Sequence, residues 1–209
     1  MDPKAPITGK SRARPISTDL VLDVCAAPGV KTIHLAQLMN NKGRIISVEY
    51  SKRRLESWRL LIKKMGVLNA EPVLANAAKP IELPNVMADI VILDPPCTGT
   101  GTFNEFPSGK WRINRKSIQK MASLQRKLIS NVAVQVVKGG SLIYSTCSVT
   151  YDENEAVIID FLDKNHSFKL KKTGPCIGEP GLGLVGAQRF YPYLHRCKVF
   201  FAVRLEKIN

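Results

Sequence analysis

Two short segments hold the residues best suited to covalent chemistry: Asp94-Pro95-Pro96-Cys97 and Ser145-Thr146-Cys147-Ser148. A thiolate adds to an electron-poor ring carbon, which a hydroxyl rarely does. Each segment follows an apolar run that reads as a strand, at 88–93 and 141–144. Pro95 and Pro96 donate no N–H bond and force an extended exit, so carbonyls and the Asp94 carboxylate face whatever lies above. A single strand-end cysteine is commonly a small buried apolar residue, and Cys25, Cys176 and Cys197 are assigned to that class. Two thiols and a carboxylate from neighbouring strand ends outline a covalent active site. A helix opening near Thr150 should bring its positive end close to Cys147 and lower the thiol pKa.

The elements that must position these groups alternate along the chain. Further strands are expected at 20–24, 44–48 and 71–75, with closing strands at 168–171 and 198–205. Helices are expected at 30–39, 51–65, 117–137 and 150–164. Leu55, Trp58 and Ile62 give the second helix its apolar stripe. Lys138-Gly139-Gly140 reads as a helix C-terminal signal, and Thr150-x-x-Glu153 as a capping box. Residues 95–116 read as a long loop. Strands alternating with helices imply a parallel α/β sheet with right-handed crossovers. Ligands of such sheets bind beyond the carboxyl ends of the strands. Cys25, Glu49, Asn76, Asp94 and Cys147 all fall there.

The chain has 209 residues, 44% of them hydrophobic, and a formal net charge of +14. It reads as residues 1–18, an irregular basic arm, followed by one domain at 19–209. The charge favours a polyanionic partner. No apolar run approaches ~20 residues and no signal-peptide pattern stands at the start, so no membrane association is expected. The five cysteines are an odd number with no Cys-x-x-Cys pair. Neither a disulfide framework nor a zinc site is indicated, no metal is expected, and a reducing cytoplasm fits.

Cys25-Ala26-Ala27-Pro28-Gly29-Val30-Lys31 leaves the first strand and enters the first helix. Small residues let a ligand approach the backbone, Gly29 can supply a positive φ, and the helix start offers free N–H groups. A phosphate-binding P-loop is excluded, because Val30 and Cys25 stand where it needs glycines. Glu49 suits a ribose diol. Its competing role is a helix-start acid paired with Lys52 or Arg53. Asn76 suits an adenine edge or, nearly equally, a turn before Ala77.

The chain resembles the RNA (cytosine-5)-methyltransferases of the Nop2/Sun and Fmu (RsmB-like) family. The matching segments are Asp23-Val-Cys-Ala-Ala-Pro-Gly29, Asp94-Pro-Pro-Cys-Thr-Gly-Thr-Gly101, Ser145-Thr-Cys-Ser148 with Glu153-Asn-Glu155, and Arg189-x-x-Pro192-x-x-His195 with Phe200-Phe201. The resemblance implies a Rossmann-like S-adenosylmethionine (SAM)-dependent methyltransferase fold, a mostly parallel seven-stranded sheet with helices on both faces. It implies SAM on Cys25 to Lys31, with Glu49 on the ribose, Asn76 near the adenine, and Arg54 and Asp94 among the cofactor-binding residues. It also implies a reaction in which Cys147 attacks carbon 6 of cytosine in RNA. Asp94 would hold the ring's nitrogen edge, Lys31 would assist, and Cys97 would help remove the carbon-5 proton or release the enzyme. tRNA is preferred to rRNA as substrate.

Three positions depart from the family pattern: Val30 for a second glycine, Asn76 for an aspartate, and Lys198-Val199 for Asp-Gly. Family members also carry an RNA-binding region before the catalytic domain, and little precedes Leu20 here. A protein partner presents the RNA, or the basic surface suffices, or the sequence is a fragment. The alternative function is an RNA-binding subunit on the same fold that depends on a partner. An amine-directed methyltransferase is disfavoured, because Cys97 stands where an aromatic would be expected.

RNA contact is expected from Lys110, Trp111, Arg112, Arg115 and Lys116, with Trp111 either stacking on a base or pinned to the core. Lys4, Lys10, Arg12 and Arg14 add charge in the arm. The basic residues of the second helix read as a solvated face, and Phe190-Tyr191-Pro192-Tyr193 as core.

Overall fold

The computed structural model describes residues 15–172 and 175–209. Most of the basic arm, including Lys4, Lys10, Arg12 and Arg14, lies outside the described residues. The parallel half of the sheet is built from β1 (Leu20–Val24), β2 (Arg44–Glu49), β3 (Ala70–Leu74), β4 (Ala88–Leu93) and β5 (Val136–Thr146). These strands lie in the order β3-β2-β1-β4-β5. Four antiparallel strands extend it: β6 (Phe168–Lys171), β7 (Glu179–Gly181), β8 (Leu184–Phe190) and β9 (Phe200–Lys207).

The sheet therefore has nine strands among the described residues, where seven were expected. The two additional strands, β7 and β8, form a hairpin closed at Gly183, whose φ is +68°. The sequence Glu179-Pro-Gly-Leu-Gly-Leu-Val-Gly186 lacks the apolar alternation that marks a strand. It acquires order by pairing with β9.

Period-two alternation explains the layering. Val21, Ile45, Ile90 and Ile92 face helix α1 (Val30–Leu38), packing on Leu35, Ala36 and Met39. Leu22, Val24, Ile46, Val91, Leu142 and Tyr144 face the other way, onto α3 (Arg115–Ala133) and α4 (Glu155–Lys164). Helix α2 (Lys52–Lys64) sits on the α1 side through Trp58 and Ile62. Full burial of side chains such as Phe161 and Phe201 contributes roughly 1.5–3 kcal/mol each.

Two signals lie elsewhere than their sequence reading. Lys138-Gly139-Gly140 does not stop α3, which ends at Ala133; it lies inside β5. Gly139 has a φ of +76°, and a Cβ on Gly140 would come within 2.9 Å of the Asp89 carbonyl. The pair serves a register shift between β4 and β5. Nor do Thr150 and Glu153 form a capping box, because α4 begins only at Glu155. By contrast, α3 carries a capping box that sequence reading did not name, between Asn114 and Ser117.

Candidate active site

The carboxyl ends of β1, β2, β4 and β5 deliver Cys25, Glu49, Asp94 and Cys147, and Asn76 follows two residues after β3. At the first of these ends the chain turns sharply. Cys25 has a φ of +62° and Gly29 one of +113°. A Cβ on Gly29 would sit 3.1 Å from the Trp58 ring. The helix that follows has no side-chain cap, so its first N–H groups remain available to a ligand.

Glu49 is fully buried. It accepts hydrogen bonds from the backbone N–H of Ala27 at 3.4 Å and of Ser51 at 3.1 Å. Its ion pair is with Arg54, 3.7 Å away, and not with Lys52 or Arg53. Arg54 also donates to the Ala27 carbonyl at 2.5 Å, so it ties α2 to the glycine turn. Beside them lies a cleft of about 340 Å³, lined by Cys25, Val48, Tyr50, Asn76, Pro96 and three residues of one α3 face, Met121, Leu124 and Leu128. Its volume is in the range of small-ligand sites. The α3 wall is the part of the site that sequence reading missed; its signal is the i, i+3, i+7 apolar spacing.

Asn76 lines this cleft, yet its side-chain oxygen accepts from Ala78 N at 3.0 Å, which is the turn geometry considered for it. Val30 and Lys31 border a second cavity of about 350 Å³ with His34, Ile92, Ile143 and Phe200. The structure thus divides the Cys25–Lys31 segment between two cavities. Cys25 has its thiol pushed up to about 12, first by burial and then by the charges of Glu49 and Asp94. That removes it from nucleophilic chemistry.

The two remaining thiols meet. Cys97 Sγ and Cys147 Sγ are 3.1 Å apart. Their pKa values move in opposite directions: the hydrogen bond between them lowers Cys147 and raises Cys97, and burial raises Cys97 further. The contact therefore favours loss of a proton from Cys147 before Cys97. Asp94 stands beside the pair, bridged to Lys31 Nζ and accepting from Ser145 Oγ at 3.1 Å. The structure therefore brings Cys97, Cys147, Asp94 and Lys31 together.

Three supporting residues had no assigned role in the sequence reading. Arg189, buried, makes a bidentate pair with Glu155 at 2.6 and 2.5 Å and donates to the Val149 carbonyl at 3.0 Å. Gln125 donates to the Pro96 carbonyl at 2.9 Å. In the resemblance Arg189 and Glu155 appeared only as motif letters; here they fix the turn that follows Cys147.

Lys110, Trp111, Arg112, Arg115 and Lys116 are all exposed. Trp111 is 83% exposed, with Lys110 Nζ 5.6 Å from its ring centre, so it is not pinned to the core. The basic residues of α2 other than Arg54 do form an exposed face, with Arg59 near Glu56. Two expectations of burial fail. Cys176 and Cys197 are exposed. Tyr193 is 78% exposed and stacks on Tyr191 at 5.6 Å, so the Phe190–Tyr193 stretch is partly surface. Pro192 starts a short helix (α5, Pro192–His195) there, which turns the side chains outward.

The sheet, the glycine turn and the crevice together define the Rossmann-like fold of SAM-dependent methyltransferases. Residues 13–206 match the family described as 16S rRNA methyltransferase RsmB/F, and the chain belongs to that family. It is 38% identical over 93% of its length to the tRNA (cytosine(72)-C(5))-methyltransferase of Pyrococcus horikoshii, covering 49% of that protein. It is 34% identical to the human 28S rRNA (cytosine(4447)-C(5))-methyltransferase, covering 93% of this chain and 26% of that one. The solved structure of NSun6 from Pyrococcus horikoshii with SFG superposes with a TM-score of 0.85 at 38% identity, over 93% of this chain and 49% of that one. The chain thus spans about half or less of the length of these relatives.

Proposed function

We propose that this chain methylates carbon 5 of cytosine in RNA, with SAM as methyl donor. The observation that carries the reading is the Cys97–Cys147 contact, in which one thiol is lowered and its neighbour keeps a proton. Carbon 5 of cytosine is not nucleophilic until a group adds at carbon 6. Cys147, the thiol whose pKa is lowered, is placed to add there. Asp94, held by Lys31 and Ser145, faces the same space and would hold the ring's nitrogen edge while charge builds on it. Cys97, retaining its proton and touching Cys147, is placed to exchange protons at carbon 5 and to let the adduct collapse.

The apolar cleft suits SAM. Its flat aliphatic walls fit an adenine, Glu49 at the end of β2 stands where a ribose diol would need an acceptor, and the uncapped start of α1 suits a carboxylate. The bound cofactor supplies an electrophilic methyl group. A relative's structure with SFG, a SAM analogue, supports this choice.

The substrate is RNA, tRNA before rRNA, since a tRNA enzyme is among the relatives at 38% identity. Trp111, Lys110, Arg112 and Arg115 would contact it, and the target base must leave its stack to reach the thiols. A protein partner that presents the RNA, and a reducing cytoplasmic setting, belong to the same proposal. No helix among the described residues is long and apolar enough to cross a membrane.

The test is incubation of the purified chain with unmodified tRNA transcripts and methyl-labelled SAM, followed by digestion to nucleosides. Label in 5-methylcytidine is expected. SAM binding without labelled nucleoside from any RNA would favour an RNA-binding subunit that depends on a partner for activity.

A further inference from the structure

The residue after each active-site thiol is tied to the same carboxylate. Thr98 follows Cys97, and it donates to Glu153 through its N–H at 2.8 Å and its hydroxyl at 2.5 Å. Ser148 follows Cys147, and its hydroxyl donates to Glu153 at 2.7 Å. Gln125 and Thr150 add donors at 3.1 and 3.0 Å. Gln125 also holds the Pro96 carbonyl, just before Cys97. Glu153 has no exposed surface, and its side-chain hydrogen bonds run to neither thiol. Three more bonds run directly between the two stretches: Gly101 N–H to the Cys147 carbonyl at 3.0 Å, Thr100 Oγ1 with Ser148 Oγ at 2.9 Å, and Val149 N–H to Thr100 Oγ1 at 2.9 Å.

A buried carboxylate is costly to desolvate, and a capping role would not demand it. Five donors from three separate stretches of chain converge on Glu153, which saturates the roughly four acceptor sites of its two oxygens. Ordinary packing could hold these loops near each other. The shared acceptor adds to the direct bonds by tying Thr98 and Ser148, each next to a thiol, to one point beside the sulfur-to-sulfur contact.

We propose that Glu153 is a positioning residue for the thiol pair: its carboxylate clamps the two cysteine segments so that Cys97 can hydrogen-bond Cys147 and hold it ready as the nucleophile. The inference rests on the reading of Cys147 as the reacting thiol, but its test needs neither RNA nor SAM.

The test is the pH dependence of Cys147 alkylation by iodoacetamide, read peptide by peptide by mass spectrometry under anaerobic conditions. Asp94, Lys31 and Cys97 are the titratable groups acting on Cys147, and all three stay in place in the variants. Glu153→Gln keeps the size of the side chain but turns an N–H₂ toward two or more of the donors. Ser148→Ala removes one tether to Glu153, together with the direct bond to Thr100, and leaves the carboxylate with its other partners, which guards against a variant that does not fold. Both should move the Cys147 midpoint upward by about one pH unit, about a tenfold loss of thiolate below the midpoint, toward that of Cys97→Ala. Adding either change to Cys97→Ala should then have no further effect. An unchanged Cys147 profile in folded Ser148→Ala and Glu153→Gln proteins would overturn the proposal and reduce Glu153 to a structural residue.

Discussion

The two halves of the crevice are built by different means. On the cofactor side, over β1 and β2, the groups lie close in sequence and are held by backbone: a glycine turn, an uncapped helix start and a carboxylate that accepts two backbone N–H bonds. On the cysteine side, over β4 and β5, the thiols lie 50 residues apart and are held mainly by side chains, through Glu153, Gln125 and Arg189. A backbone-built site tolerates much side-chain change. A side-chain web transmits each loss to the reacting atoms.

The largest effects should therefore fall on the cysteine side. Cys147→Ala should lower methyl transfer by at least about 1,000-fold with cofactor affinity unchanged, measured by labelled turnover beside equilibrium SAM binding. A comparable loss of SAM binding would erase the distinction between the halves. On the cofactor side, Glu49→Ala should weaken SAM binding by about 10- to 100-fold, the loss of charge-assisted hydrogen bonds of ~1.5–3 kcal/mol, while bound enzyme keeps most of its turnover. Titration calorimetry with single-turnover kinetics checks both.

Beneath the cofactor turn lies Asp23, fully buried and accepting from Thr32 Oγ1 at 2.6 Å, which in turn accepts from Trp58 at 3.0 Å. Burial raises its carboxyl from 3.8 to about 6, against the lowering effects of Thr32 and Lys31. A raised acid pKa favours the folded state while the group is protonated. That contribution is fully present below about pH 4 and is lost as pH rises through about 6. It amounts to ~3 kcal/mol, on the scale of 1.36 kcal/mol per unit. Asp23→Asn should lack this decline, which denaturant melts of both proteins between pH 4 and 7 would reveal. The smallest change is expected outside the crevice. Trp111→Ala should weaken RNA binding by about fivefold, near the lower limit for loss of one stacked base, and Lys110→Ala should reduce the salt slope of binding by roughly one.

The same contrast explains what the sequence disclosed. The glycine turn, Glu49 and the two cysteine segments were legible because a strand, a tight turn and a helix start leave local signals. Glu153 carried a local signal as well, but a misleading one: its spacing from Thr150 suggested a cap, while its partners Thr98 and Gln125 stand 55 and 28 residues away. The apolar wall of Met121, Leu124 and Leu128 reads as helix core until β4 is placed beside it. Hairpin β7–β8 escaped because pairing with β9, not its own pattern, makes it a strand.

The central claim is that Cys147, and not Cys97, forms the bond to the base. An RNA carrying 5-fluorocytidine at the target position traps the adduct, because fluorine at carbon 5 cannot leave as a proton. Incubation with SAM, nuclease digestion and peptide mapping by mass spectrometry would locate the nucleotide. The account predicts it on the peptide bearing Cys147, with no trapped complex in Cys147→Ala and a persistent one in Cys97→Ala. A nucleotide on the Cys97 peptide, with trapping intact in Cys147→Ala, would contradict it.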